Sequence, residues 1–363
     1  MPWIELLIAQ IRAMRYFRQL LFIMIVFLVS SCSRTGIVND ATVKLVKPDK
    51  VVSLEFDTTF RCAFPEVLDC FRIRIVNDTI LVLQDQVSEN NPYHFKAYST
   101  NSFDYLGSFV RIGRGPGEML HPHITQNNAS EKYLSLNDNQ LGQAYILDVI
   151  ESIKAQKASI VKSFSLPSNI IDWLPMSGNG QFILVQENGE MVFHKKMDDG
   201  EVYKTFNLYR GIDGERCLTH FSGFILNNGI TGEVAEVMAF FPQINIVDTD
   251  SDNVHSIAVN KDYRKWESVI NRMLNMDSKE YYVGATSTSD YIFAAYKGLP
   301  LCRLNDPESG TSIHVFDWTD NFLYDIRVSE NIGYMTFDSR TKFLYCVAKP
   351  ENRIVRYDLS GLL

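Results

Sequence analysis

Six short apolar runs recur along the 363-residue chain at a nearly constant interval. They are Thr79–Leu83, Lys132–Leu136, Gln181–Val185, Glu236–Phe240, Tyr291–Ala295 and Lys342–Cys346. With Ile80, Leu134, Phe182, Met238, Ile292 and Phe343 as markers, every step is about 50 residues, the period of a repeat architecture. A chain with this spacing is committed to stacking like units side by side.

The units have a common grammar. Each apolar run is followed by a second strand, a tight turn and a third strand. The best copy is Ile313–Asp317, the turn Trp318–Asn321, then Phe322–Ile326. Counterparts are His94–Tyr98 with Tyr105–Phe109, Gln143–Asp148 with Ile160–Phe164, Met191–His194 with Val202–Phe206, and Ile244–Asp248 with Val254–Ala258. Four strands per unit predict an all-β, six-bladed propeller over residues 51–363 with no second domain. An aromatic content of 12% agrees with strands rather than helical bundles. The last unit supplies Ile332–Thr336, the Phe343 strand and Arg353–Tyr357, and then the chain stops. Val51–Phe56 is expected to provide its missing outer strand, so that an N-terminal strand closes the last blade.

One segment breaks the pattern. Trp266, Val269, Ile270, Met273 and Leu274 fall at i, i+3, i+4, i+7 and i+8, which predicts a short amphipathic helix between units four and five, with Asp262 as its N-cap. A second departure follows the first unit, where Gly113, Gly115, Pro116 and Gly117 forbid both helix and strand.

The N-terminus reads as an address. Arg12, Arg15 and Arg18 precede the apolar run Leu20–Val29, and Ser30-Ser31-Cys32 follow. Basic, apolar and small-residue segments in this order make a secretory signal over residues 1–31. The run is too short for a spanning helix of about 20 residues. Val29-Ser30-Ser31-Cys32 resembles the bacterial lipobox, which implies lipid attachment at Cys32 and a tether over residues 32–50. An ordinary secretory signal with an incidental Cys is the alternative, and Met14 competes with Met1 as the start. Five Cys remain, an odd number that leaves at least one thiol free, with Cys62 and Cys70 close enough for a local disulfide. No zinc spacing is present. The net charge of −8, without any Lys/Arg-rich run, argues against a nucleic-acid partner.

Ile112-Gly113-Arg114-Gly115-Pro116-Gly117-Glu118 and Val315–Phe322 together resemble the signature of the TolB-like six-bladed propeller lipoproteins of Bacteroides and its relatives. The resemblance runs from about Val51 to the end. It implies the fold and attachment to the outer membrane of a bacterial envelope, on a face left open. It carries no activity.

In a propeller, the links between blades and the loops between second and third strands share one face. On that face Arg111, Arg114, Glu118, His121, His123 and Arg303 form the candidate binding set, with Asp306 and Glu308 beside Arg303. The bland reading of the glycines is a backbone turn, with Arg114 and Glu118 pairing across it. His121 and His123 lack a third ligand in sequence, so no metal or cofactor is assigned. No Gly-x-Ser-x-Gly elbow occurs. Asp85, Asp138 and Glu187 end three successive second strands, and such carboxylates could ring a channel mouth. The leading expectation is a lipid-anchored, non-catalytic binding or scaffold module for a glycan, peptide or protein partner. The alternative is a calcium-dependent hydrolase or lactonase working at the central channel mouth.

Overall fold

The computed structural model describes residues 42–363 apart from 61–63, 65–66, 68, 126–131, 177–179, 188–189, 198–201, 207, 210–222, 252, 271–272, 307–308 and 351. The predicted signal, Cys32, Cys62, Cys217 and most of the tether lie outside the described residues.

Six antiparallel sheets follow one another in chain order. Blade one holds β3 (Cys70–Val76), β4 (Ile80–Asp85), β5 (Tyr93–Ser99) and β6 (Tyr105–Arg111). Blade two holds β7 (Pro122–Ile124), β8 (Leu134–Asp138), β9 (Gln143–Leu147) and β10 (Ile160–Ser165). Blade three holds β11 (Ile170–Pro175), β12 (Gly180–Glu187), β13 (Glu190–Met197) and β14 (Val202–Phe206). Blade four holds β15 (Gly223–Asn227), β16 (Glu233–Met238), β17 (Gln243–Asp248) and β18 (Val254–Ala258). Blade five holds β19 (Lys279–Ser287), β20 (Tyr291–Pro300), β21 (Thr311–Asp317) and β22 (Phe322–Val328). Blade six holds β23 (Asn331–Asp338), β24 (Phe343–Lys349) and β25 (Arg353–Asp358). All six marker residues fall on the second strand of their blade.

The apolar runs are continuous because each blade is covered on both faces. Successive side chains of a strand point to opposite sides. On β4, Ile80 and Val82 pack with Leu134 and Leu136 of blade two, whereas Leu81 and Leu83 pack with Tyr345 and Val347 of blade six. On β12, Phe182 and Leu184 meet Val234 and Met238 of blade four, whereas Ile183 and Val185 meet Ala144 and Phe164 of blade two. Each such side chain contributes about 1.5–3 kcal/mol by leaving water. Aspartates punctuate the third strands. Asp248 accepts the N–H groups of Asp250 and Ser251, Asp317 those of Thr319 and Asn321, and Asp358 that of Ser360, closing the turn that follows each.

The N-terminal strand is not where the sequence suggests. Lys50–Ser53 (β2) runs parallel to β22 of blade five, and Val43–Leu45 (β1) runs parallel to β18 of blade four. Blade six keeps three strands among the described residues. Register explains the shift: Val52, Leu54 and Phe56 face the core between blades five and six, which pairing on β22 already satisfies. The segment continues as a belt. Leu54 N–H donates to Arg327 O at 3.0 Å and Asp57 N–H to Arg356 O at 2.9 Å. Phe60 and Phe64 then pack on Phe103 and Tyr98 of blade one, with ring centroids 4.7 and 4.6 Å apart. The ring therefore closes by packing of blade six on blade one, sealed by this belt rather than by a shared sheet. Ile75 N–H donates to Thr336 Oγ1 across that junction at 3.2 Å.

Two short α-helices occur among the described residues. The expected insertion between blades four and five is a 3-10 turn, Lys261–Lys265, leading into α2 (Trp266–Ile270). Its cap is Asn260, whose side chain accepts from Asp262 N–H at 2.8 Å; Asp262 instead accepts from Tyr281 Oη at 2.9 Å and Lys265 Nζ at 2.6 Å. Ile270 is buried and Trp266 and Val269 pack on the core between blades three and four, while Met273 is 90% exposed. The helix α1 (Val149–Ala155) was not legible in sequence, because it replaces a turn read as a plain hairpin. Asp148 caps it by accepting from Glu151 N–H at 3.0 Å. Ile153 lies over Gly107, where any Cβ would come within 2.8 Å of its Cγ2.

Candidate functional site

The Gly-rich link between blades one and two is a turn folded round its own carboxylate. Gly115 N–H donates to Glu118 Oε2 at 2.9 Å, and a Cβ at Gly113 would stand 2.0 Å from the same oxygen. Gly117 has φ +80° and its carbonyl accepts from Ala158 N–H at 2.9 Å, so the turn is pinned to the segment after α1. Glu118 does not pair with Arg114, contrary to the bland sequence reading, because its carboxylate turns inward to the glycine N–H. Arg111 and Arg114 are exposed.

Only the end of this link reaches the central channel. Asp138 accepts from Leu120 N–H at 2.7 Å and His121 N–H at 2.9 Å and steers the chain into β7. His123 then lines a cavity of about 260 Å³ at the start of the innermost strands of blades one to four. Arg72 from β3, Asp172 from β11, and Asn137 and Asn139 from the end of β8 share the cavity, over Ile171, Leu184, Met191 and Ile225. His121 is exposed, with its ring 4.5 Å from that of His123.

The electrostatics of the cavity follow from its depth. Burial, then the neighbouring Arg72 guanidinium, pushes the His123 imidazole down to about 4, so it is neutral near pH 7. Its Nδ1 meets no partner among the described residues. Burial pushes the Asp172 carboxyl up, against Trp173 N–H and the opposing pull of Arg72. Arg72 Nη1 donates to Ile124 O at 3.0 Å, and Asn137 Nδ2 to Asn139 Oδ1 at 2.7 Å. Deeper in the channel, Arg74 crosses from blade one to donate to Thr286 Oγ1 of blade five at 3.3 Å.

Of the residues singled out in sequence, the structure brings His123 into the cavity and His121 to its edge. Arg303 is elsewhere, on the loop of blade five, paired with Asp306 at 3.0 Å. Glu308 lies outside the described residues. Asp85, Asp138 and Glu187 do not converge as a ring. Asp85 forms a buried ion pair with Lys96 at 2.6 Å, Asp138 is filled by four backbone N–H groups, and Glu187 accepts from His194 at 2.9 Å. No group of three His, Cys, Asp or Glu side chains able to hold a metal occurs among the described residues. Cys70, considered for a disulfide with Cys62, is a buried free thiol donating to Arg72 O at 3.3 Å. Arg72 and Asp172 were missed; the available signal was a charge inside an otherwise apolar inner strand, as in Ile171-Asp172-Trp173.

The architecture has relatives of known structure. An exported protein from Bacteroides fragilis superposes with a TM-score of 0.51 at 14% identity, covering 85% of this chain and 99% of its own. A member of the DUF4221 family from Bacteroides vulgatus gives 0.49 at 10% identity, covering 81% and 92%. A luciferin-regenerating enzyme gives 0.47 at 10% identity, covering 82% and 95%. A search of curated proteins gives no match. The family described as TolB-like 6-blade propeller-like matches residues 45–340, and with six blades in sequence order the chain belongs to that family.

Proposed function

We propose that this chain is a lipid-anchored envelope propeller that binds rather than transforms its ligand, as a recognition or scaffold module for a glycan, a peptide or a protein partner. The observation that carries the reading is the cavity at the channel mouth. Polar groups from three blades converge there over an apolar floor, while the carboxylates that would serve a calcium-dependent hydrolase are each engaged elsewhere. The envelope address rests on the basic, apolar and small-residue order of residues 12–32, with Cys32 as attachment point, and on the exported Bacteroides fragilis protein of like fold. No helix among the described residues is long and apolar enough to cross a membrane.

The test is a binding screen with a blocked variant. Asn139 is exposed at the cavity edge, so Asn139→Trp is placed to cover the opening, at the loss of the hydrogen bond its Oδ1 accepts from Asn137. Envelope glycans, peptides and proteins are screened by melting temperature and by capture. A ligand that stabilises the wild type and not N139W supports the reading. Turnover of lactones or esters that needs calcium overturns it.

A further inference from the structure

The contents of the channel-mouth cavity narrow the ligand class, granted the reading above that this cavity is the ligand site. Arg72 and Asp172 both line it, yet no ion pair joins them; Arg72 is tied to a backbone carbonyl and Asp172 to the Trp173 N–H. Two opposite charges thus face one small space without neutralising each other directly. Unpaired charges in a partly desolvated pocket are costly, and a ligand with complementary charges offsets that cost. A neutral sugar fits poorly, because no Phe, Tyr or Trp ring among the described residues lines the cavity to stack on its apolar face. A nucleotide fits worse, since the described lining holds a single guanidinium and no Phe, Tyr or Trp to stack a base. The volume of about 260 Å³ lies just below the usual range for ligand sites, which calls for a small ligand.

We propose that the cavity binds a free α-amino acid with an aliphatic side chain. Its carboxylate would sit on Arg72 and its ammonium on Asp172, with the side chain over Ile171, Leu184 and Ile225. Asn137 and Asn139 supply both donors and acceptors to whichever oxygen or N–H remains. The neutral His123 imidazole offers a hydrogen-bonding nitrogen without a second positive charge that would compete for the carboxylate.

The experiment is calorimetric titration of the full-length chain, solubilised in detergent, with leucine, methionine and valine. Leucinamide and N-acetylleucine, each lacking one charge, and glucose and galactose serve as comparisons. The expected result is one-to-one binding of leucine, weakened at least about tenfold when either end is blocked and lost in N139W. Asp172→Asn is expected to remove the advantage of leucine over N-acetylleucine, a readout that does not depend on folding being unaltered. Equal binding of leucine and both blocked forms overturns the proposal, as does leucine binding that N139W leaves intact. Sugar binding without leucine binding also overturns it, but leaves the recognition-module reading standing. No response to any of these compounds overturns it too, and the glycan, peptide and protein screen then decides that reading on its own.

Discussion

Asp57 and Arg356, 299 residues apart in sequence, hold the two ends of the ring together. Arg356 Nε and Nη2 both donate to Asp57 Oδ2, at 2.9 and 2.7 Å, and the Asp57 N–H donates to Arg356 O. The guanidinium lies over the rings of Phe60, Phe103 and Phe343, the last at 4.1 Å. One side chain of the last blade thereby grips the belt and the first blade at once.

Asp57→Asn is expected to cost about 1–2 kcal/mol in denaturant unfolding, the range for a partly screened charge-assisted hydrogen bond. The Thr59 hydroxyl, then Arg356, hold the Asp57 carboxyl down at about 2 from an ordinary 3.8. A depressed carboxyl contributes its stability above its unfolded value and loses it as pH falls through the folded one. The gap between wild type and variant should therefore be full above about pH 4 and close towards pH 2. A gap that is constant over that window contradicts this assignment.

Glu236 should act in the opposite sense. Burial pushes its carboxyl up to about 7 from 4.5, although one oxygen accepts from Tyr209 Oη and from Asn245 Nδ2 at 2.9 Å. The folded state keeps a proton that the unfolded state has released, so stability falls as pH rises between those values, by about 3 kcal/mol in all. Glu236→Gln removes the penalty. Melting curves should show the variant above wild type at pH 8 and level with it near pH 4.

Lys96→Met tests the buried pair in blade one. Lys96 and Asp85 are both buried, 2.6 Å apart, and Asn91 bonds to each. Removing the cation strands the Asp85 charge, with an expected loss of about 3–5 kcal/mol. The double change Lys96→Met with Asp85→Asn should recover part of that loss in a double-mutant cycle.

Gly113→Ala separates a structural loop from a recognition loop. The added methyl collides with the Glu118 carboxylate, and overpacking of this kind costs about 1–3 kcal/mol. In a Glu118→Ala background the collision with the carboxylate is absent and Gly113→Ala should cost less, with the strain of its φ of +157° remaining. Arg114→Ala, on an exposed side chain, should leave stability unchanged. A ligand found for the chain that is lost in R114A would assign the loop a binding role as well.

How much of this was legible beforehand is clearest at particular residues. Ile80, Leu134, Phe182, Met238, Ile292 and Phe343 mark six second strands because a blade covered on both faces is mostly apolar on both sides of the strand, and that pattern repeats in sequence. Gly113 and Gly117 announced a turn because no other residue tolerates those positions. Local chemistry of this kind needs no partner to be read. Three things needed the assembled ring. Val52 and Leu54 pair with blade five rather than blade six, since a parallel edge pairing is set by which core lies beneath it and not by the strand itself. Glu118 turns inward rather than towards Arg114, because the glycine N–H of its own loop is the nearer donor. Arg72 and Asp172 meet at the channel mouth only because six blades, each regular in sequence, bring their first strands to a common axis. The sequence by itself determined the blade, its repeat and its turns; the closure of the ring and the composition of the cavity at its centre were decided by tertiary structure, where residues about 100 positions apart become neighbours.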